Sequence, residues 1–206
     1  AASDVYKRQS FYSRAEIGAG YMFRELDVPF NPLVSFDDDF PFFQGALVRD
    51  TSVFAPWGAI SGSRVRLDAF YAPETSDFGQ IVTASVDLDA RAYVPVTRRS
   101  NLAFRAFLGQ SETDREGITP SPIIFGGLDD VRGVPFQAFA GDRAFFANAE
   151  LRFPLIDILA TPAVAFQGIR GVLFFDVGGA WFDEFQDFDV WNSEEDRFED
   201  CLLYTS

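Results

Sequence analysis

Between residues 81 and 94 the chain alternates without a break. Thr83, Ser85, Asp87, Asp89 and Arg91 fall on one side, and Val82, Ala84, Val86, Leu88, Ala90, Ala92 and Val94 on the other. A period of two is the side-chain period of a β-strand, so the segment has one apolar and one polar face. Residues 144–153 do the same, with Phe146, Asn148, Glu150 and Arg152 opposite Phe145, Ala147, Ala149, Leu151 and Phe153. Five further segments carry the pattern less strictly: residues 14–25, 43–51, 63–71, 102–109 and 168–182. The expectation is seven strands and no helix. No apolar run approaches the roughly 18 residues that a transmembrane helix needs.

Alternating strands suit either a soluble sandwich with a dry core or a membrane barrel with a wet interior, and strand length separates the two. Soluble strands average about 5–6 residues, whereas membrane strands run to roughly 9–11. The polar faces here carry carboxylates and guanidiniums in alternating sign, which are expected to pair across strands. Small residues on the apolar faces (Ala84, Ala90, Ala92, Ala147, Ala149) suit lipid contact without an interlocked core. Tyr71, Tyr93, Phe153 and Trp181 near strand ends suit interfacial girdles. The fold class is therefore read as all-β: a partial transmembrane antiparallel β-barrel, about seven strands of roughly sixteen. As a fragment it is an open curved sheet with unpaired edges.

Connections fall into two classes. Residues 95–100 and the segment from Phe153-Pro154 onwards read as tight turns, while 27–42, with Asp37-Asp38-Asp39, and 110–143 read as long polar loops. Short turns on one side and long loops on the other are the habit of outer-membrane barrels. A connection of the length of 110–143 is expected to be functional. The acidic run 183–200 reads as the start of another outside loop, with no spacing that resembles a calcium loop.

The two ends read differently. With GAT GTG TAT AAG AGA CAG for residues 4–9 and TGT CTC TTA TAC ACA TCT for residues 201–206, the coding strands are reverse complements apart from the frame. Both match the adapter and transposase-end sequence of shotgun libraries. Residues 1–9 and 201–206 are thus expected to be adapter-derived, flanking a barrel segment over 10–200 with an in-folded loop at about 110–143. The only cysteine, Cys201, and the only lysine, Lys7, lie in those ends, and the chain has no histidine. This removes thiol nucleophiles, Cys-based zinc sites and the commonest general base. Residues 10–200 hold 30 carboxylates against 15 arginines, which argues against a nucleic-acid partner. No nucleophile–base arrangement is visible, and Asp87 with Asp89 reads as structural. The expectation is no enzyme, no catalytic residue, no cofactor and no metal site.

Three motifs remain. Phe125-Gly126-Gly127-Leu128-Asp129-Asp130-Val131-Arg132-Gly133-Val134 lies in the long loop. Asn148-Ala149-Glu150-Leu151-Arg152-Phe153 follows it, and Phe174-Phe175-Asp176-Val177-Gly178-Gly179-Ala180-Trp181 comes later. Here the sequence resembles the BamA/TamA superfamily of outer-membrane assembly and secretion barrels, also called bacterial surface antigens. Members carry Val-Arg-Gly-Phe/Tyr in a loop folded into the lumen and Phe-x-Asp-x-Gly on a strand two further along. Val131-Arg132-Gly133 matches the first motif, with Val134 in place of the aromatic; Phe174, Asp176 and Gly178 match the second. Phe136 or Phe139 could supply the missing ring. Asp50-Thr51 through Gly62 and Asp87-Leu88-Asp89-Ala90 also look like the family's preceding strands.

Residue chemistry points the same way. Arg132 sits among Gly126, Gly127 and Gly133, where the backbone turns tightly, and the alternation count puts Asp176 and Glu150 on polar faces. A guanidinium in an enclosed lumen needs carboxylates, and its planar fork takes one bidentately. Arg132 is therefore expected to bridge to Asp176 with Glu150 near by. The resemblance implies the same lock. It also implies assembly and insertion of proteins into the bacterial outer membrane, without a cofactor. The partners it implies are the lipid bilayer, unfolded client proteins or a secreted protein, and accessory lipoproteins. A secretion or solute pore of the same superfamily, with the loop as a plug, is one alternative. A membrane anchor for a propeller or hydrolase domain on the N-terminal side is the other.

Overall fold

The computed structural model describes residues 3–9, 12–26, 36–73, 83–113, 122–160, 165–183 and 202–205, among which there is no helix. Its strands are β1 (Ser3–Gln9), β2 (Ser13–Leu26), β3 (Phe36–Asp50), β4 (Val53–Ala55), β5 (Gly58–Ala72) and β6 (Thr83–Pro95). They continue as β7 (Asn101–Thr113), β8 (Ile123–Phe125), β9 (Phe139–Gly141), β10 (Arg143–Ala160), β11 (Ala165–Trp181) and β12 (Leu202–Thr205). One antiparallel meander runs β1-β2-β3-β5-β6-β7-β10-β11-β12, with β4 folded back on β5. β8 and β9 form a separate two-stranded ribbon within the β7–β10 connection.

The seven alternating segments are the seven long strands β2, β3, β5, β6, β7, β10 and β11, each 13 to 18 residues long. Three boundaries need correction. Residues 36–42, read as loop because of their carboxylate run, belong to β3. Among the described residues β3 pairs there only with β2, since its pairing to β5 begins at Phe43, and Pro41 thus sits where a missing donor costs little. Pro154 does not end a strand either: β10 runs on to Ala160 and its register slips between Pro154 and Ile156. A bulge tolerates a residue that cannot donate. β7 likewise extends to Thr113, so the long loop starts later than Gln110. Within the expected loops, residues 27–35, 114–121 and 184–200 lie outside the described residues.

The register fixes what each face presents. Leu47, Leu67, Leu88, Leu108 and Phe145 are direct cross-strand neighbours in one row over five strands. Leu47 is 59% exposed and Leu108 56%, with Ile17, Phe23, Phe43, Val65, Val86, Phe104 and Leu173 exposed on the same face. A continuous apolar face of that extent exceeds what a monomer in water carries, and it is the surface a bilayer requires. On the other face, sign alternation pairs some charges across strands, Arg64 with Asp50 at 4.0 Å and Arg105 with Asp89 at 2.9 Å, but it also sets like charges side by side. Arg64, Arg91 and Arg105 lie opposite one another, as do Asp68 and Asp87. Other cations pair lengthways, with the carboxylate two residues away on their own strand. Arg66 Nε lies 2.6 Å from Asp68, Arg91 Nε 2.8 Å from Asp89, Arg152 Nε 2.7 Å from Glu150 and Arg14 Nε 2.9 Å from Glu16. Spacing of two keeps both partners on one face, which relieves the like-charge contact across strands.

At the end of the sheet opposite the long loop, the chain between β3 and β5 folds inward. Gly62 has φ +92°, and a Cβ there would run into the Thr51 carbonyl, so the sharp bend requires glycine. The small hairpin of β4 and the start of β5 reaches other strands: Asn101 Nδ2 donates to the Ala59 carbonyl at 3.1 Å, and the Arg170 guanidinium lies 5.1 Å from the Trp57 ring centroid.

The face assignment is testable at mid-strand. Leu67→Arg places a charge on the lipid side and is expected to destabilise the complete barrel by about 2–4 kcal/mol, read from denaturant unfolding in vesicles. An effect within about 0.5 kcal/mol, as for an ordinary surface site, would show that this face is not in lipid.

Candidate functional site

The β7–β10 connection returns over the polar face rather than leaving the sheet. The Ser111 amide donates to the Asp142 carbonyl at 2.8 Å, tying the two ends of the loop together. Phe125 of β8 stacks on Phe139 of β9, with centroids 4.9 Å apart, and packs against Phe146 of β10 at 5.3 Å. Phe146 in turn stacks on Phe107 of β7 at 5.0 Å. Phe125, Val131, Ala144 and Phe146 form a buried cluster, with Phe107, Ile123, Val134 and Phe139 packed around it. Phe107 and Phe146 are thus apolar residues at polar-face positions because the loop sits on them. Sequence reasoning missed this seat; its signal was the aromatic at each of two positions where alternation calls for a polar residue. Val134, where the family motif has an aromatic, packs at the margin of the cluster. Phe139 packs there too, stacked on Phe125, whereas Phe136 is 80% exposed.

Positive φ values at Gly126 (128°), Gly127 (101°) and Gly133 (87°) shape the turn that carries Arg132. At Gly126 a Cβ would lie 2.9 Å from both the Ala138 amide nitrogen and the Pro135 carbonyl oxygen, so the crossing chains need the missing side chain. The Asp130 carboxylate accepts from the Gly126 amide at 3.2 Å and closes the turn.

This turn brings Arg132, Asp176 and Glu150 together. Arg132 Nε and Nη2 donate to the two carboxylate oxygens of Asp176, each at 2.6 Å, and its Nη1 donates to Glu150 at 2.6 Å. The Arg132 amide also donates to Asp176, at 3.1 Å, and Asn148 Nδ2 donates to the same carboxylate at 2.9 Å. Asp176 is 0% exposed and carries four donated hydrogen bonds. The Arg132 guanidinium also lies 3.8 Å from the Phe174 ring centroid, a cation–π contact in a site with little water. The hydrogen bond to Asp176 comes first among the effects that raise the Arg132 pKa above its ordinary value, with Glu150 adding to it and burial opposing. The guanidinium stays charged at any physiological pH.

Gly178 completes the arrangement. A Cβ there would lie 2.8 Å from Val131 Cγ2 and 2.9 Å from Phe146 Cβ, so its absence makes room for the fully buried Val131. Phe174, Asp176 and Gly178 share one face of β11 by alternation, and each meets the loop: one under the guanidinium, one as its counter-ion, one as the gap for Val131. No group of three or more metal-ligating side chains occurs among the described residues. The chemistry available is electrostatic and steric: the site holds a loop.

Two substitutions separate these contributions. Gly178→Ala should destabilise the docked loop by about 1–3 kcal/mol through overpacking, and Arg132→Lys should do so by a similar amount by losing the bidentate fork. Protease accessibility of residues 123–141 reads both. Digestion at the unsubstituted rate in both variants would contradict the geometry.

Residues 48–196 match the family model of the Omp85 superfamily domain. Among solved structures, the chain is similar to the crystal structure of BamA from Haemophilus ducreyi lacking POTRA domains 1–3, with a TM-score of 0.64 at 15% identity. The match covers 85% of this chain and 40% of that one, so the chain spans about two fifths of the structure it resembles. At this identity the likeness is one of fold. No curated protein matches the chain by sequence. The family match spans most of the chain, and the open all-antiparallel sheet agrees with part of such a barrel: the chain belongs to the Omp85 superfamily and forms part of an Omp85-type outer-membrane β-barrel.

Proposed function

We propose that this barrel assembles and inserts other proteins into the bacterial outer membrane, with loop residues 122–142 locked to the lumen wall as the element that keeps the barrel competent. The observation that carries the reading is the Arg132–Asp176–Glu150 contact, in which a loop cation is held by carboxylates of two adjacent strands and Asp176 is wholly buried. Removing one member of such a buried pair leaves an uncompensated charge and costs about 3–5 kcal/mol. The lock therefore confines the loop far more strongly than a solvent-exposed pair would. The partners in this reading are the bilayer, against the apolar face, unfolded outer-membrane clients, and accessory lipoproteins. Clients would be recognised through backbone groups, since the unpaired edge of an incoming strand pairs with an open sheet edge whatever its side chains. The chemistry needs neither cofactor nor catalytic residue.

The experiment is reconstitution of the complete barrel protein in liposomes with an unfolded outer-membrane client. The protein should accelerate client folding, and Arg132→Ala should lower that acceleration by about tenfold or more, equivalent to at least about 1.4 kcal/mol. Absence of acceleration, together with ion conductance that rises on Arg132→Ala, would replace this reading by a pore of the same superfamily with the loop as its plug. Absence of both effects would leave the barrel as a membrane anchor.

A further inference from the structure

The lock holds the loop only toward β10 and β11, yet the same turn is also gripped from the opposite side. Arg105 on β7 is turned to the polar face, where its guanidinium lies 4.7 Å from the Phe146 ring centroid. Its Nε and Nη2 lie 3.0 and 2.9 Å from Asp89 Oδ2 on β6. Asp89 is itself held by Arg91, at 2.8 Å through Nε and 2.9 Å through Nη2, so the carboxylate that orients Arg105 is fixed on its own strand. The remaining nitrogen, Nη1, points at the loop: it donates to the Asp129 carbonyl at 2.8 Å and lies 3.4 Å from Asp130 Oδ1. Asp130 is also the residue whose carboxylate closes the turn on the Gly126 amide and whose carbonyl accepts from Asn148.

We infer that Arg105 is a second positioning residue for the lumen loop, oriented by Asp89 and acting on Asp129 and Asp130, distinct from the Arg132 lock and of opposite polarity to it. The inference rests on the reading of the loop as a locked element and deepens it. In the Arg132 contact the loop supplies the cation and the wall the anions; in the Arg105 contact the wall supplies the cation and the loop the acceptors. The two grips use different strands and different loop residues, and they flank the glycine-rich turn from both sides. A hinge motion that frees one side therefore leaves the other attached. A guanidinium serves this role where an ammonium would not, because its planar fork meets Asp89 and the Asp129 carbonyl in fixed directions at once. Paired only with Asp89, Arg105 would be an ordinary wall arginine, and its loss would leave the loop unmoved.

Backbone amides report on the two grips separately. The Gly126 and Asp130 amides donate within the turn that Arg105 braces, to Asp130 Oδ2 and the Gly127 carbonyl, while the Arg132 amide donates to Asp176. Hydrogen exchange on the complete barrel should show Gly126 and Asp130 exchanging about tenfold faster in Arg105→Ala, with Arg105→Lys shifted the same way to a lesser extent. Arg132→Ala should act first on its own amide. Unchanged exchange at Gly126 and Asp130 in both Arg105 variants, with Arg132→Ala still releasing residues 131–133, would overturn this inference and leave the lock intact. Unchanged exchange throughout 126–133 in Arg132→Ala as well would overturn the lock reading itself.

Discussion

Everything distinctive in this sheet depends on one charge taken out of water. Arg132 can enter the space over the polar face only because Asp176 and Glu150 accept three hydrogen bonds from its guanidinium there, and Asp176 can be wholly buried only because Arg132 and Asn148 supply donors to its oxygens. Neither group is tolerable alone at that depth. The loop and the strands are therefore bound by mutual need rather than by apolar area alone. The aromatic seat of Phe107 and Phe146 adds contact, while the ion pair fixes position and orientation.

The rest of the sheet is arranged so that this pair has a place to form. A strand that is apolar on one side and charged on the other cannot lie in water or be buried whole; it needs lipid on one side and a polar interior on the other. The leucine row and the lengthwise Arg–Asp pairs are the two halves of that requirement. Wall cations such as Arg66, Arg91 and Arg105 have carboxylates of their own, which leaves Asp176 of β11 to the cation from the loop. Glu150 divides itself accordingly, with one oxygen on Arg132 and the other on Arg152.

The long strands were legible in the sequence because one-sided burial writes a period of two, as at residues 81–94, and because charged residues cannot sit on the lipid face. The same parity put Asp176 and Glu150 on the polar face, where a loop arginine needs its acceptors. What alternation does not encode is register. It left the like-charge rows of Arg64, Arg91 and Arg105 unseen, and with them the lengthwise pairing. Residues 36–42 read as loop because carboxylates and Pro41 dominate local preference, whereas pairing to β2 decides their structure. Phe107 and Phe146 stand at polar-face positions, and only the loop packed on them accounts for two aromatics there. The inward fold at Gly62 depends on a single bend that no periodicity announces.

The central claim, that the loop lies inside against β11, can be tested by a covalent link between the two surfaces in contact. The Cβ built at Gly178 meets the Val131 side chain. In Val131→Cys with Gly178→Cys, the crowding methyl is replaced by the sulfur that would form the bond, at a separation compatible with a disulfide. With any other cysteine replaced by serine, the complete barrel should form this disulfide on mild oxidation while remaining folded, and both thiols should then resist a water-soluble maleimide. A folded barrel in which the bond does not form and both cysteines label freely would contradict the account.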